Sequence, residues 1–248
     1  MSATESRAER RIRHPRPVDE VGLRRMNLDL REAFERVVVL NLDRRPDRLA
    51  AVRAELDRFG VAFERIAAID GRMEPWLSDW QAYARQPLVD VVAGEPPIPD
   101  YRAFYLGDRA PRARVAFVEQ RSRARAIATP GAYGLLLSMT RLVERALEEG
   151  WRSVLIFEDD VLLHRASGRL FDRAYRQLPE DWVVLQLGAL QLNWGDGWIE
   201  RWSENLYRCH GSSIGAHAVG LRREALAPLL AACRRRDLPF DIGALHEV

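Results

Sequence analysis

Lysine is absent from this chain: all 38 basic side chains are arginine. That excludes a Schiff-base or other catalytic lysine. It leaves guanidinium groups, which meet phosphate and carboxylate as planar forks, although an arginine- and alanine-rich composition is also what codon bias produces. Cysteine is scarce, and Cys209 and Cys233 have neither metal-ligand spacing nor the pattern of a disulfide framework. Charge of one sign is lacking too. The formal net charge of +2 gives no global basic field for nucleic acid. No apolar run approaches the roughly 20 residues of a membrane span, and no signal-peptide pattern opens the chain; the expectation is a cytoplasmic protein. The first apolar run is followed by no GxGxxG, and no Walker sequence occurs, which argues against dinucleotide enzymes and P-loop NTPases. With 47% apolar residues over 248 positions, the chain can bury the core of one large domain, with or without an insertion.

What is present is concentrated in Trp151 to Leu163, WRSVLIFEDDVLL. Val154, Leu155, Ile156 and Phe157 predict a strand buried on both faces. It runs directly into Glu158, Asp159 and Asp160. Three adjacent carboxylates repel one another unless a positive charge sits among them, and hard cations such as Mn2+ or Mg2+ prefer such oxygens. Strand alternation would point Glu158 and Asp160 one way and Asp159 the other. The plainer reading is a strand ending in a solvated acidic turn.

Around this segment the chain alternates strands and helices. Residues 1–33 are Arg-rich and weakly periodic, predicting a mobile tail or, more sharply, a contact with an anionic membrane surface or acidic partner. Residues 34–248 read as a single domain. Val37 to Leu42 is its first strand. A helix follows with Asp43 as cap, Pro46 in the first turn and Gly60 beyond its end. Ala62 to Ile69 is a second strand closing at Asp70-Gly71, and this βαβ unit implies a parallel sheet. Residues 72–130 lose periodicity and predict an insertion or lid. Gly131 to Glu149 is an amphipathic helix leading into the acidic strand. Further elements are a helix near Leu170 to Gln177, a strand over Trp182 to Leu187, a short strand near Tyr207, a strand over Gly215 to Leu221 and a helix over Arg222 to Arg236. The fold class is α/β.

In open parallel sheets, ligands gather at the carboxyl ends of strands. Here that edge collects Arg44 and Arg45, Asp70, and the three acids. Arginines that can meet a diphosphate beside acids that can hold a metal fit a nucleotide-sugar site, where the cation offsets charge developing on the leaving diphosphate.

The sequence resembles glycosyltransferase family 25, which includes bacterial lipooligosaccharide and collagen galactosyltransferases. VVVLNLDRRPDRLAAV, FERIAAIDG, PGAYGLLLSMTRLVERALEEGWRSVLIFEDDVLL, DWVVLQLG, IGAHAVGLRREAL and PFD follow the family's order over most of Val37 to Asp241. The resemblance implies a GT-A-like fold with a mostly parallel sheet flanked by helices. It implies Mn2+ (or Mg2+) dependence and inverting transfer of a hexose, typically galactose from UDP-galactose, to a saccharide or glycoconjugate acceptor. Carried over by motif, Glu158 and Asp160 are metal ligands, while Asp159, Arg44, Arg48 and Asp70 face the donor. Asp241 is a general base or a further metal contact. The residues themselves leave other readings open: Arg48 as a solvated helix face, Asp70 as turn chemistry, Asp241 as a helix cap. Trp194 and Trp198 suit either sugar stacking or packing, and His217, beside apolar neighbours, reads as a core histidine.

Two features depart from the family pattern. Ser138-Met139 stands where many relatives have Ser-His, and the chain ends seven residues after Asp241, where relatives usually continue. These favour, as an alternative, a degenerate relative that binds nucleotide or saccharide without turnover. Metal-dependent phosphoryl or nucleotidyl transfer is the other enzyme class that such acids could serve.

Overall fold

The computed structural model describes residues 30–85, 127, 129–192, 194–195, 197–210, 213–236 and 238–248. Residues 1–29 of the tail expected over 1–33, and most of the insertion expected over 72–130, lie outside the described residues. Within that insertion, Trp76–Arg85 forms a helix.

Five strands make the main sheet: β1 (Arg36–Leu42), β2 (Glu64–Ala68), β3 (Ser153–Glu158), β4 (Val184–Gln191) and β7 (Ser213–Arg222), in the order β2-β1-β3-β7-β4. β5 (Ile199–Arg201) and β6 (Tyr207–Cys209) form a separate antiparallel pair. β1 pairs in parallel with β2 and β3, while β7 runs antiparallel between β3 and β4. All main-sheet strands but β7 therefore point the same way, and their carboxyl ends share one edge with the start of β7. The helices are α1 (Leu30–Ala33), α2 (Pro46–Asp57), α3 (Trp76–Arg85), α4 (Pro130–Glu148), α5 (Ser167–Tyr175) and α6 (Arg223–Arg235), with a final 3-10 turn over Ala244–Glu247.

The central strands are apolar on both faces because each face carries its own core. Val38, Leu40, Val154 and Ile156 face the helices α4 and α6. Val37, Val39, Leu155 and Phe157 alternate with them and face Val52 and Leu56 of α2, with Phe34 and Trp182. Leu30 and Ala33 are buried in this second core, so the packed domain takes in four residues that the sequence reading placed in the tail.

Local chemistry sets the element ends. Thr129 caps α4 by accepting from the Ala132 N–H at 3.1 Å, and Pro130 opens its first turn. The expected Asp43 cap of α2 is not made. Arg45 occupies the cap position without a side-chain bond, and Asp43 is ion-paired with Arg65 instead. β4 begins two residues later than expected and runs on through Gly188 with register shifts. Among the described residues, no helix is long and apolar enough to cross a membrane.

α4 meets the end of β2 at backbone distance. A Cβ on Gly134 would lie 2.5 Å from the Ile69 carbonyl oxygen, and one on Gly71 would lie 1.8 Å from that of Pro130. Ser138 completes this joint: its hydroxyl accepts from the Ile69 N–H at 2.8 Å and donates to the Gly134 carbonyl at 2.7 Å. The joint fixes the position of Asp70, one residue beyond Ile69.

Candidate active site

The acids at the end of β3 part company as the strand stops. Glu158 is its last residue; Asp159 and Asp160 belong to the turn that follows. Strand alternation therefore does not govern them. Asp159 is buried, and its two oxygens are held separately, by Asn41 Nδ2 at 2.8 Å and by Arg48 at 3.0 Å. The same guanidinium nitrogen of Arg48 reaches Asp160 at 2.9 Å. Asp159 and Asp160 thus share one cation, and Arg48 is an ion-paired bridge rather than a free solvated charge.

Asn41 is 1% exposed and supports this turn from β1. Besides Asp159, its amide donates to the Arg45 carbonyl at 3.0 Å and its oxygen accepts from Arg65 Nε at 3.1 Å. A buried amide used at both ends specifies one arrangement. Sequence reading placed Asn41 in a polar strand end but gave it no role. The partner lies 118 residues away, and no local signal announces it.

Glu158 has the opposite character. Its side chain is 24% exposed, and among the described residues no donor lies within hydrogen-bond distance; His217 Nδ1 is nearest among charged partners, at 3.8 Å. Burial pushes its carboxyl pKa above the usual value, and the charges of Asp160, Asp241 and Asp159 add to this, with His217 opposing. A carboxylate left without donors among other carboxylates suits a cation.

His217 is a correction to the core-histidine reading. It sits on β7 with its side chain 53% exposed and faces Glu158. Its ring also covers Gly215, whose φ is +102° and where a Cβ would meet His217 Nε2 at 2.7 Å. The Gly215 N–H donates to Asp241 Oδ2 at 2.8 Å, so Asp241 anchors the start of β7 and does not cap the final turn.

On the other flank, Arg44 pairs with Asp70 across the ends of β1 and β2. Burial works against the Asp70 anion, but hydrogen bonds from Arg44 and from the Arg72 N–H hold its pKa below the usual range. The edge therefore presents a fixed ion pair at one end and the electron-rich Glu158 at the other.

Among the described residues, no three His, Cys, Asp or Glu side chains converge into a ready-made cage. Mg2+-type ions that carry a substrate phosphate need only one or two carboxylates from the protein. Glu158 and Asp160 meet that requirement; Asp159, with both oxygens occupied, does not. Of the tryptophans, Trp198 is buried packing, whereas Trp194 is exposed and stands edge-on to Tyr207 at 5.5 Å. Met139, at the departure from the family pattern, is fully buried in the core beneath α4.

Comparison with known proteins agrees with this architecture. The signature of glycosyltransferase family 25, described as an LPS biosynthesis protein family, matches residues 34–219, about three quarters of the chain. A human protein named "Inactive glycosyltransferase 25 family member 3" is 26% identical over 163 residues, which is 64% of this chain. The chain spans only 22% of that relative's length. With a mixed sheet of mostly co-directional strands flanked by helices, as in nucleotide-diphospho-sugar transferases, and a signature that spans it from Phe34 to Val219, the chain belongs to glycosyltransferase family 25.

Proposed function

We propose that this chain transfers a hexose, galactose by family expectation, from a UDP-sugar to a saccharide or glycoconjugate acceptor, with a divalent cation and inversion. The observation that carries the reading is Glu158, a donor-free carboxylate beside Asp160 at the carboxyl end of β3. The fixed Arg44–Asp70 pair lies on the same strand edge.

Glu158 and Asp160 would hold Mn2+ or Mg2+, which bound there would supply positive charge to the leaving diphosphate. Arg44 and Arg48 lie on the donor's side, and Asp159 acts through Arg48 by fixing it. Asp70 orients Arg44 and faces the nucleoside. The acceptor hydroxyl oxygen attacks the anomeric carbon while the bond from that carbon to the diphosphate oxygen breaks. UDP leaves with the electron pair. Asp241, with one oxygen held by Gly215, takes the hydroxyl proton. Attack on the face opposite the leaving group gives inversion.

The test is turnover of labelled UDP-galactose, UDP-glucose and UDP-N-acetylhexosamines with Mn2+ over a panel of acceptor saccharides. Metal-dependent transfer that Asp241→Asn lowers by about 100-fold or more supports the assignment. A second reading, a nucleotide-binding relative without turnover, is favoured by the name of the human relative and by the absence of a three-ligand cage among the described residues. UDP binding with no transfer across the panel would select it.

A further inference from the structure

Behind the acidic turn lies a hollow of about 690 Å3, bounded by residues 160–164, α5, β4, β7 and Asn205-Leu206. One wall is apolar, made of Phe157 and Phe171 with Leu170 and Leu187, which are 45% and 37% exposed; His164, Ser167, Gln186 and Asn205 stand among the remaining lining residues. Asp160 and His217 line the same hollow. One end of the hollow therefore adjoins the carboxylates at the β3 end, since His217 stands 3.8 Å from Glu158. The larger groove beside β4 and the β5–β6 pair contains none of those acids.

The chemistry of the walls selects the occupant. No arginine lines the hollow among the described residues, so a UDP diphosphate finds no cationic partner in its wall. Hydroxyls of a bare sugar set against the leucine and phenylalanine wall would lack partners, at a cost for every unmade hydrogen bond. An amphipathic molecule fits, because its apolar body is covered by the walls while its hydroxyls stay at the polar end. The volume lies in the range of small-molecule sites, which combine apolar lining with a few convergent polar groups.

The geometry points to an acceptor subsite: the hollow between α5 and β4/β7 takes the apolar aglycone, alkyl or aryl, of a glycoside whose sugar hydroxyl lies at Asp160 and His217. The inference rests on the glycosyl-transfer reading for the name acceptor, but not for the binding itself. It assigns to Leu170 and Leu187 a selection for glycosides with an apolar tail over free saccharides.

Calorimetric titration of the full chain with octyl β-galactoside below its micelle concentration, and with methyl β-galactoside, tests it. A parallel titration uses UDP with Mn2+. The expected result is a preference for the octyl glycoside of about tenfold or more, as several methylenes leave water. Leu170→Arg/Leu187→Arg, changed at two exposed positions, should reduce that preference to less than about twofold with UDP affinity unchanged. Leu170→Ser, a milder change, should move it in the same direction should the double variant fold poorly. Equal affinity for the two glycosides, or a preference that survives both variants, overturns the subsite. If UDP fails to bind while the leucine-dependent preference remains, the transferase reading falls and the apolar site stands.

Discussion

Asn41 is the residue on which the acidic turn depends. It ties β1 to Asp159 inside the protein, and Leu at this position would keep the volume but remove the donor. Asn41→Leu should cost about 2 kcal/mol in denaturant unfolding, because it leaves one oxygen of a buried carboxylate unsatisfied. A loss under about 0.5 kcal/mol would mean that water replaces the amide. Glu158 should behave in the reverse sense. Its carboxyl pKa is raised above 4.5 in the fold, so the native state binds a proton where the unfolded chain does not, and stability falls as pH rises through that interval. Glu158→Gln removes this penalty. The metal-free variant should melt at a higher temperature than the parent at pH 7, with the difference closing as pH falls below 4.5. Stability equal to the parent's at pH 7 would show that neither burial nor the neighbouring carboxylates disfavour the ionised group. The acids themselves were legible because they stand side by side after an apolar strand. Asn41, Arg65 and His217 were not, since what defines them is contact across the sheet; His217 on an apolar strand looks the same whether its face is covered or open.

At the scale of elements, the joint between β2 and α4 sets where Asp70 stands relative to Arg44. Two glycines in one short segment should answer oppositely to alanine. Gly134→Ala drives a methyl into the Ile69 carbonyl and should destabilise by about 2–3 kcal/mol. Gly131→Ala, with only the Thr129 hydroxyl at 3.9 Å, should change stability by less than about 0.5 kcal/mol or raise it slightly. Thermal melts of both variants check the pair; equal losses would place the close approach elsewhere. Helix boundaries were read well where glycine and proline mark them, as at Pro46 and Gly150. β4 was misplaced because its outward residues are mixed in character, and Gly188 reads as a stop while the strand continues through it. The Asp43 cap failed because Arg65, on the neighbouring strand, competes for the same carboxylate.

At the scale of the molecule, the sheet order puts β1, β2 and β3 side by side, so that three strand ends from distant parts of the sequence form one edge. The βαβ pattern gave the parallel half of this arrangement. The reversed β7 could not be read, because strand direction depends on which neighbour accepts its ladder and not on its own residues. That reversal has a functional consequence. It brings the start of a strand, Gly215 with His217 and the Asp241 it anchors, to an edge otherwise made of strand ends. In the proposed transferase, the donor side and the proton-accepting side would meet at Glu158. The most direct measurement of this account is calorimetric titration of UDP with and without Mn2+, on the parent chain and on Asp160→Asn. The account predicts binding that requires the metal and weakens about tenfold or more in the variant, as loss of one of two protein ligands should. Failure of UDP to bind in the presence of Mn2+, or equal binding with and without the metal, would contradict it.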